Sequence, residues 1–129
     1  MKLEPNCVRD ILLFCEKSLG INADLSWETL HLPNFCQSLP SYTKETIAYT
    51  LILLDEAGYI NCHVIEADNG IVDIYVFRLT YFGHEFIETI RSNSVWEKLT
   101  SCVAKIGSAS LPVIQQLGSS ILLDTLKSI

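Results

Sequence analysis

A chain of 129 residues, 49% of them hydrophobic, is long enough to bury one real core, whereas two independent domains would each be marginal. Nine Lys and Arg against fifteen Asp and Glu set the formal net charge at −6, which excludes the broad basic surface of a strong nucleic-acid binder. Five cysteines, an odd set without C-x-x-C spacing, exclude a disulfide framework and are expected to be reduced thiols in a cytoplasmic protein.

The segment from Met1 to Asp10 is polar and mixed in charge, so no export signal is expected. The first predicted helix opens at Pro5, with Glu4 favourably placed for the helix dipole, and runs to Leu19 with Gly20 as its stop. Val8, Ile11, Leu12, Cys15 and Leu19 recur at helical spacing as a buried stripe, leaving Arg9, Asp10, Glu16 and Lys17 toward water. In the connection from Ile21 to Pro40, Leu25, Trp27 and Leu30 are read as a brief strand and Pro33 to Leu39 as a short helix. Hydroxyl caps in Ser41 to Thr46 then introduce the clearest helix, which carries Ile47, Ala48, Leu51, Leu54 and Ala57 and ends at Gly58.

Ile60 to Ala67 and Ile71 to Leu79 are rich in β-branched and aromatic residues, and Asp68-Asn69-Gly70 between them is hairpin chemistry. A two-stranded ribbon is expected. Thr80 should cap a helix carrying Phe82, Phe86, Ile87 and Ile90, and Ser94 with Glu97 reads as the capping box of another, carrying Val95, Leu99, Cys102, Val103 and Ile106 and ending at Gly107. No charge falls between Gly107 and Leu123, yet the serines, glutamines and Pro112 there argue against a membrane span. A helix after Ser110 is expected instead, whose Leu111, Ile114, Leu117, Ile121 and Leu122 close the core or build an oligomer interface.

This order predicts an α+β, mainly helical fold: a winged helix-turn-helix-like core with a two-stranded β-hairpin wing and additional C-terminal helices. The expected organisation is a single domain over 1–129, with the core in 1–92 and a helical extension in 93–129. Thr43 to Ala57 takes the recognition-helix place and Asp68 to Gly70 the wing tip.

Met1-Lys-Leu-Glu-Pro-Asn-Cys-Val-Arg-Asp-Ile-Leu-Leu13, the Leu-Asp-Glu-Ala-Gly-Tyr-Ile run ending at Ile60, and Leu79-Thr-Tyr-Phe-Gly-His-Glu-Phe-Ile-Glu-Thr-Ile-Arg91 followed by Val95-Trp96 resemble domain-of-unknown-function family 2513. The resemblance extends through Gly107 to Ile114 and is least marked over Ile21 to Gln37. It implies a winged-helix-like fold and a bacterial or prophage origin, and it carries over no catalytic or binding residue.

Chemical motifs give little. His84-Glu85-Phe86-Ile87-Glu88 begins like a zinc-protease helix, but Glu88 stands where the second histidine must be, so His84 is expected to pack in its helix's first turn. His31, Cys36, Cys62 and His63 match no zinc spacing, and adjacent residues of a strand point to opposite faces. The glycines form no phosphate loop, and the carboxylates Asp10, Glu16, Asp55 and Glu56 lie on helix faces expected to be solvated. No enzyme, metal, cofactor, small-molecule substrate or membrane contact is inferred.

The expected activity is binding, with a protein partner or a second copy favoured. The candidate contact face is Tyr42, Lys44, Glu45, Thr46, Tyr49 and Thr50, with Arg78 on the second ribbon strand. A DNA-binding regulator is the alternative, weakened by Lys44 being the one basic residue on that helix face; an acidic phage inhibitor of a host nucleic-acid enzyme is the second alternative.

Overall fold

The computed structural model describes residues 1–128, which form an α+β, mainly helical fold. The elements are α1 (Pro5–Ser18), β1 (Leu30–His31), α2 (Leu32–Ser38), α3 (Lys44–Glu56), β2 (Ile60–Ala67), β3 (Gly70–Leu79), α4 (Tyr81–Ile90), α5 (Asn93–Ile106) and α6 (Leu111–Lys127). Two compact units are present, Met1–His84 and Glu85–Ile129.

In the first unit, Cys7, Val8, Ile11, Leu12 and Cys15 form the buried stripe of α1, and α1 packs on α3 and β3. α3 begins where the Thr43 hydroxyl accepts the Thr46 backbone N–H at 3.2 Å, and Ile47, Thr50, Leu51 and Leu54 form its inner face. The hairpin turns through Asp68 and Asn69, both at positive φ, between the paired residues Ala67 and Gly70. Positive φ at both loop residues is what a two-residue hairpin with native strand twist requires, and Asp and Asn tolerate it.

The sheet has three strands rather than two, in the order β1-β3-β2 and antiparallel throughout. β1 adds Leu30 and His31 opposite Val76 and Tyr75. Leu25 is not in a strand: the Asp24 carboxylate accepts both the backbone N–H and the hydroxyl of Ser26, closing a turn that holds Leu25 at positive φ. Trp27 makes only an isolated bridge to Ile21. Ile60, Ile74, Val76 and Leu79 are buried on the core side of the sheet.

Thr80 caps α4 as expected, accepting the Gly83 N–H at 3.1 Å, and its hydroxyl donates to the Gly58 carbonyl. In the second unit Phe86, Ile87 and Ile90 are buried, as are Val95, Trp96, Leu99 and Val103 of α5, which packs on α6. Three expectations are corrected here. The α5 cap is Ser92, accepting from Val95 N at 3.4 Å, not Ser94, because the helix starts two residues earlier, at Asn93. Ile106, 77% exposed at the α5 terminus, is outside the core. Phe82 is exposed, since it falls off the α4 face set by Gly83, Phe86 and Ile90.

Candidate partner-binding site

The expected contact face is narrower than sequence spacing implied. Thr50 is 1% exposed and its hydroxyl donates to the Thr46 carbonyl at 2.7 Å, so it belongs to the α1–α3 interior. Its inward position follows the Ile47, Leu51, Leu54 stripe, with which it is in helical register. Tyr42 is half-buried and donates its hydroxyl to Asp10 Oδ2 at 2.7 Å, joining α1 to the turn before α3. Burial and that carboxylate acceptor push the Tyr42 phenol well above its usual range. Asp10 is therefore a structural acceptor rather than a solvated acid, and so is Asp55, whose Oδ1 accepts the Cys62 backbone N–H at 3.0 Å. Thr46 serves the α3 cap.

Lys44, Glu45 and Tyr49 remain on the outer side of α3. With Met1, Leu32, Ala48, Ile52 and Ile71 they line a groove of about 420 Å³. Six of its eight lining residues are apolar or aromatic, and its two charges, Lys44 and Glu45, cancel. Arg78 is elsewhere: its guanidinium stacks 5.6 Å from the Trp27 ring centre, beside a small pocket that also includes Glu16 and His84. The structure does not join Arg78 and Lys44 into one basic face. His84 is exposed rather than packed, because the inner side of that turn is taken by Gly83 against Tyr59.

On the outer side of the sheet lies a feature that sequence reasoning missed. His31 of β1 and His63 of β2 both stand opposite Tyr75 of β3, so the three form one row across the strands. The His31 and Tyr75 rings meet edge to face at 4.3 Å. His31 Nδ1 lies 3.0 Å from Asp73 Oδ2, and the other Asp73 oxygen accepts the backbone N–H groups of Leu32 and Ile74. Burial opposes ionisation of Asp73, but these bonds outweigh it and hold its carboxyl below the usual range. The signal was the period-two alternation Asp73, Tyr75, Phe77, readable only once the sheet's covered side was known.

Cys62 and His63 do point apart: Cys62 contacts Asp55 and lies near Cys15, while His63 is in the outer row. Among the described residues no group of three or more His, Cys, Asp or Glu is disposed to hold a metal ion, and no helix is long and apolar enough to cross a membrane. In α6, Leu111 and Ile114 are buried, whereas Leu117, Ile121 and Leu122 are half-buried. Gly118 lets α6 close in: a Cβ there would sit 2.9 Å from Thr89 Cγ2 and 3.2 Å from Leu99 Cδ1.

These features describe an α+β protein whose most developed surfaces are an apolar helix groove and an aromatic sheet face. The family model described as "Hypothetical protein (DUF2513)" matches residues 2–110, and the chain belongs to that family. A Haemophilus influenzae protein described as "Uncharacterized protein" is 29% identical over 123 residues, covering 95% of this chain and 96% of that one. No solved structure matches the chain.

Proposed function

We propose that this chain is a non-catalytic, winged-helix-type binding domain of the bacterial cytoplasm that acts through protein contact, with the α3 groove as the contact surface. The element order α1-β1-α2-α3-β2-β3 supports the winged-helix reading, since it sets a helix-turn-helix before a hairpin wing. The observation that carries the function is the groove itself. Its apolar lining and cancelling charges suit a buried side-chain anchor from a protein and give phosphates almost nothing to bind. A second copy of the chain is one partner that fits this description.

The same topology favours a second reading, a DNA-binding regulator with α3 in a major groove, and one experiment separates the two. Tagged wild-type protein and the variants Ala48→Glu and Ile52→Glu are compared for captured bacterial proteins and, by sedimentation, for self-association. The expected result is a specific partner or dimer present with wild type and lost in both folded variants. A partner held equally by all three, or none with wild type, overturns the reading.

A further inference from the structure

We propose that the outer face of the sheet is a second docking surface, which takes a proline-rich segment in polyproline II conformation flanked by basic residues. One cavity of about 440 Å³ is lined there by Trp27, Thr29, His31, His63, Tyr75 and Phe77. On a solvated sheet face these alternate positions would ordinarily be polar. Here three aromatic rings and two imidazoles lie together instead, with Trp27 47% exposed. An aromatic cluster of this kind, open to solvent, is the sort of surface that partners use. Two of its rings are already fixed in place, because His31 is held by Asp73 on one side and by the Tyr75 ring on the other. Little ordering entropy is lost when a ligand arrives on a surface built that way.

Two ligand types lie flat on aromatic side chains: the bases of a single-stranded nucleic acid and the rings of a proline helix. Charge decides between them. Single-strand binding needs a positive groove that follows the phosphates, yet the chain carries −6. The permanently cationic side chain beside this cavity, Arg78, is stacked on Trp27, and the ionised Asp73 lies at its His31 end. A proline helix is uncharged, is preformed, and turns unsatisfied carbonyls outward as acceptors. The face answers with donors, since Trp, Tyr, His and Arg side chains all carry N–H or O–H groups. Basic residues flanking the prolines would be drawn by the protein's net negative field.

The test is anisotropy of a fluorescein-labelled oligoproline peptide with an arginine at each end, against a labelled oligothymidine strand of equal length. Saturable binding of the peptide and not of the oligonucleotide is expected. Trp27→Ala and His63→Ala, both at exposed positions, should weaken it by about tenfold or more with unchanged circular dichroism. Ile52→Glu, in the α3 groove, should leave it intact, so failure of the groove reading and failure of this one are told apart. Binding of the oligonucleotide instead of the peptide overturns the proposal. So does no peptide binding at millimolar concentration, or binding indifferent to both sheet-face variants.

Discussion

Asp73 shows how much one side chain organises. Its two oxygens bind the His31 ring, the first N–H of α2 and its neighbour's N–H on β3, joining strand β3 to the helix that follows β1. Asp73→Asn keeps the shape but loses the charge, and because the site is partly open to solvent the expected cost is about 1 kcal/mol in chemical denaturation. Since the folded carboxyl titrates below its ordinary value, its contribution is complete above about pH 3.9 and drains away as pH falls through the lower folded value. The wild-type advantage over Asp73→Asn should therefore shrink in that acid window. An advantage that grows as pH falls below about 3.9 contradicts the assignment. The thiols give a second expectation at this scale. Burial pushes Cys7 up to about 11 and Cys15 and Cys62 to about 12, so these three should resist alkylation in the native protein at neutral pH. All five cysteines should react once the protein is unfolded without reductant, and fewer than five would reveal a disulfide. At this scale the sequence was least legible: Thr50, Tyr42 and Asp10 looked like surface groups because a polar side chain's partner is unknown until two segments meet.

Helices and strands were more legible, since capping and periodicity are local. Thr43, Thr80 and the hairpin turn sit where their chemistry placed them, while the brief strand expected through Leu25, Trp27 and Leu30 is confined to Leu30 and His31, and its pairing with β3 went unread because a two-residue strand has no periodicity to detect. The contact between α4 and the turn after α3 is tight enough to test. A Cβ on Gly83 would lie 2.1 Å from the Tyr59 carbonyl oxygen, a backbone atom that already accepts from Thr80 N. Gly83→Ala should cost about 3 kcal/mol or more and lower the melting midpoint by roughly 10 °C. Gly20→Ala, where nothing lies within 4 Å of the new methyl, is the near-neutral control. Equal melting of the two variants would refute the close packing. Removal of α6 is the larger test. Leu111 and Ile114 are buried and Gly118 rests on Thr89 and Leu99, so truncation after Gly107 bares apolar surface of α4 and α5. Aggregation or loss of cooperative melting is expected, and a soluble truncation with the parent's melting point would show that α6 closes nothing.

At the scale of the whole molecule the deciding quantity is charge. Lys44 and Arg78 line different cavities, so the α3 face and the wing offer about one phosphate contact each. Duplex DNA binding should accordingly be no tighter than about 10⁻⁴ M, with a shallow salt slope near −1 to −2, and Lys44→Glu should abolish it without unfolding the helix. Nanomolar binding of random duplex in physiological salt would install the regulator reading in place of protein contact.

What the amino-acid sequence determined by itself is what depends on near neighbours: the positions of the main helices, the turn at Asp68 and Asn69, the absence of phosphate-loop and protease motifs, and the net charge. Which faces of those elements are covered was decided only in three dimensions. Tyr75 reads as an ordinary strand residue until β1 brings His31 to one side of it and β2 brings His63 to the other. The groove along α3 likewise exists because Met1, Leu32 and Ile71, far apart in the chain, converge on Ala48 and Ile52. Burial is a property of surfaces pressed together, and pairings between distant segments leave no mark in the local pattern of either one.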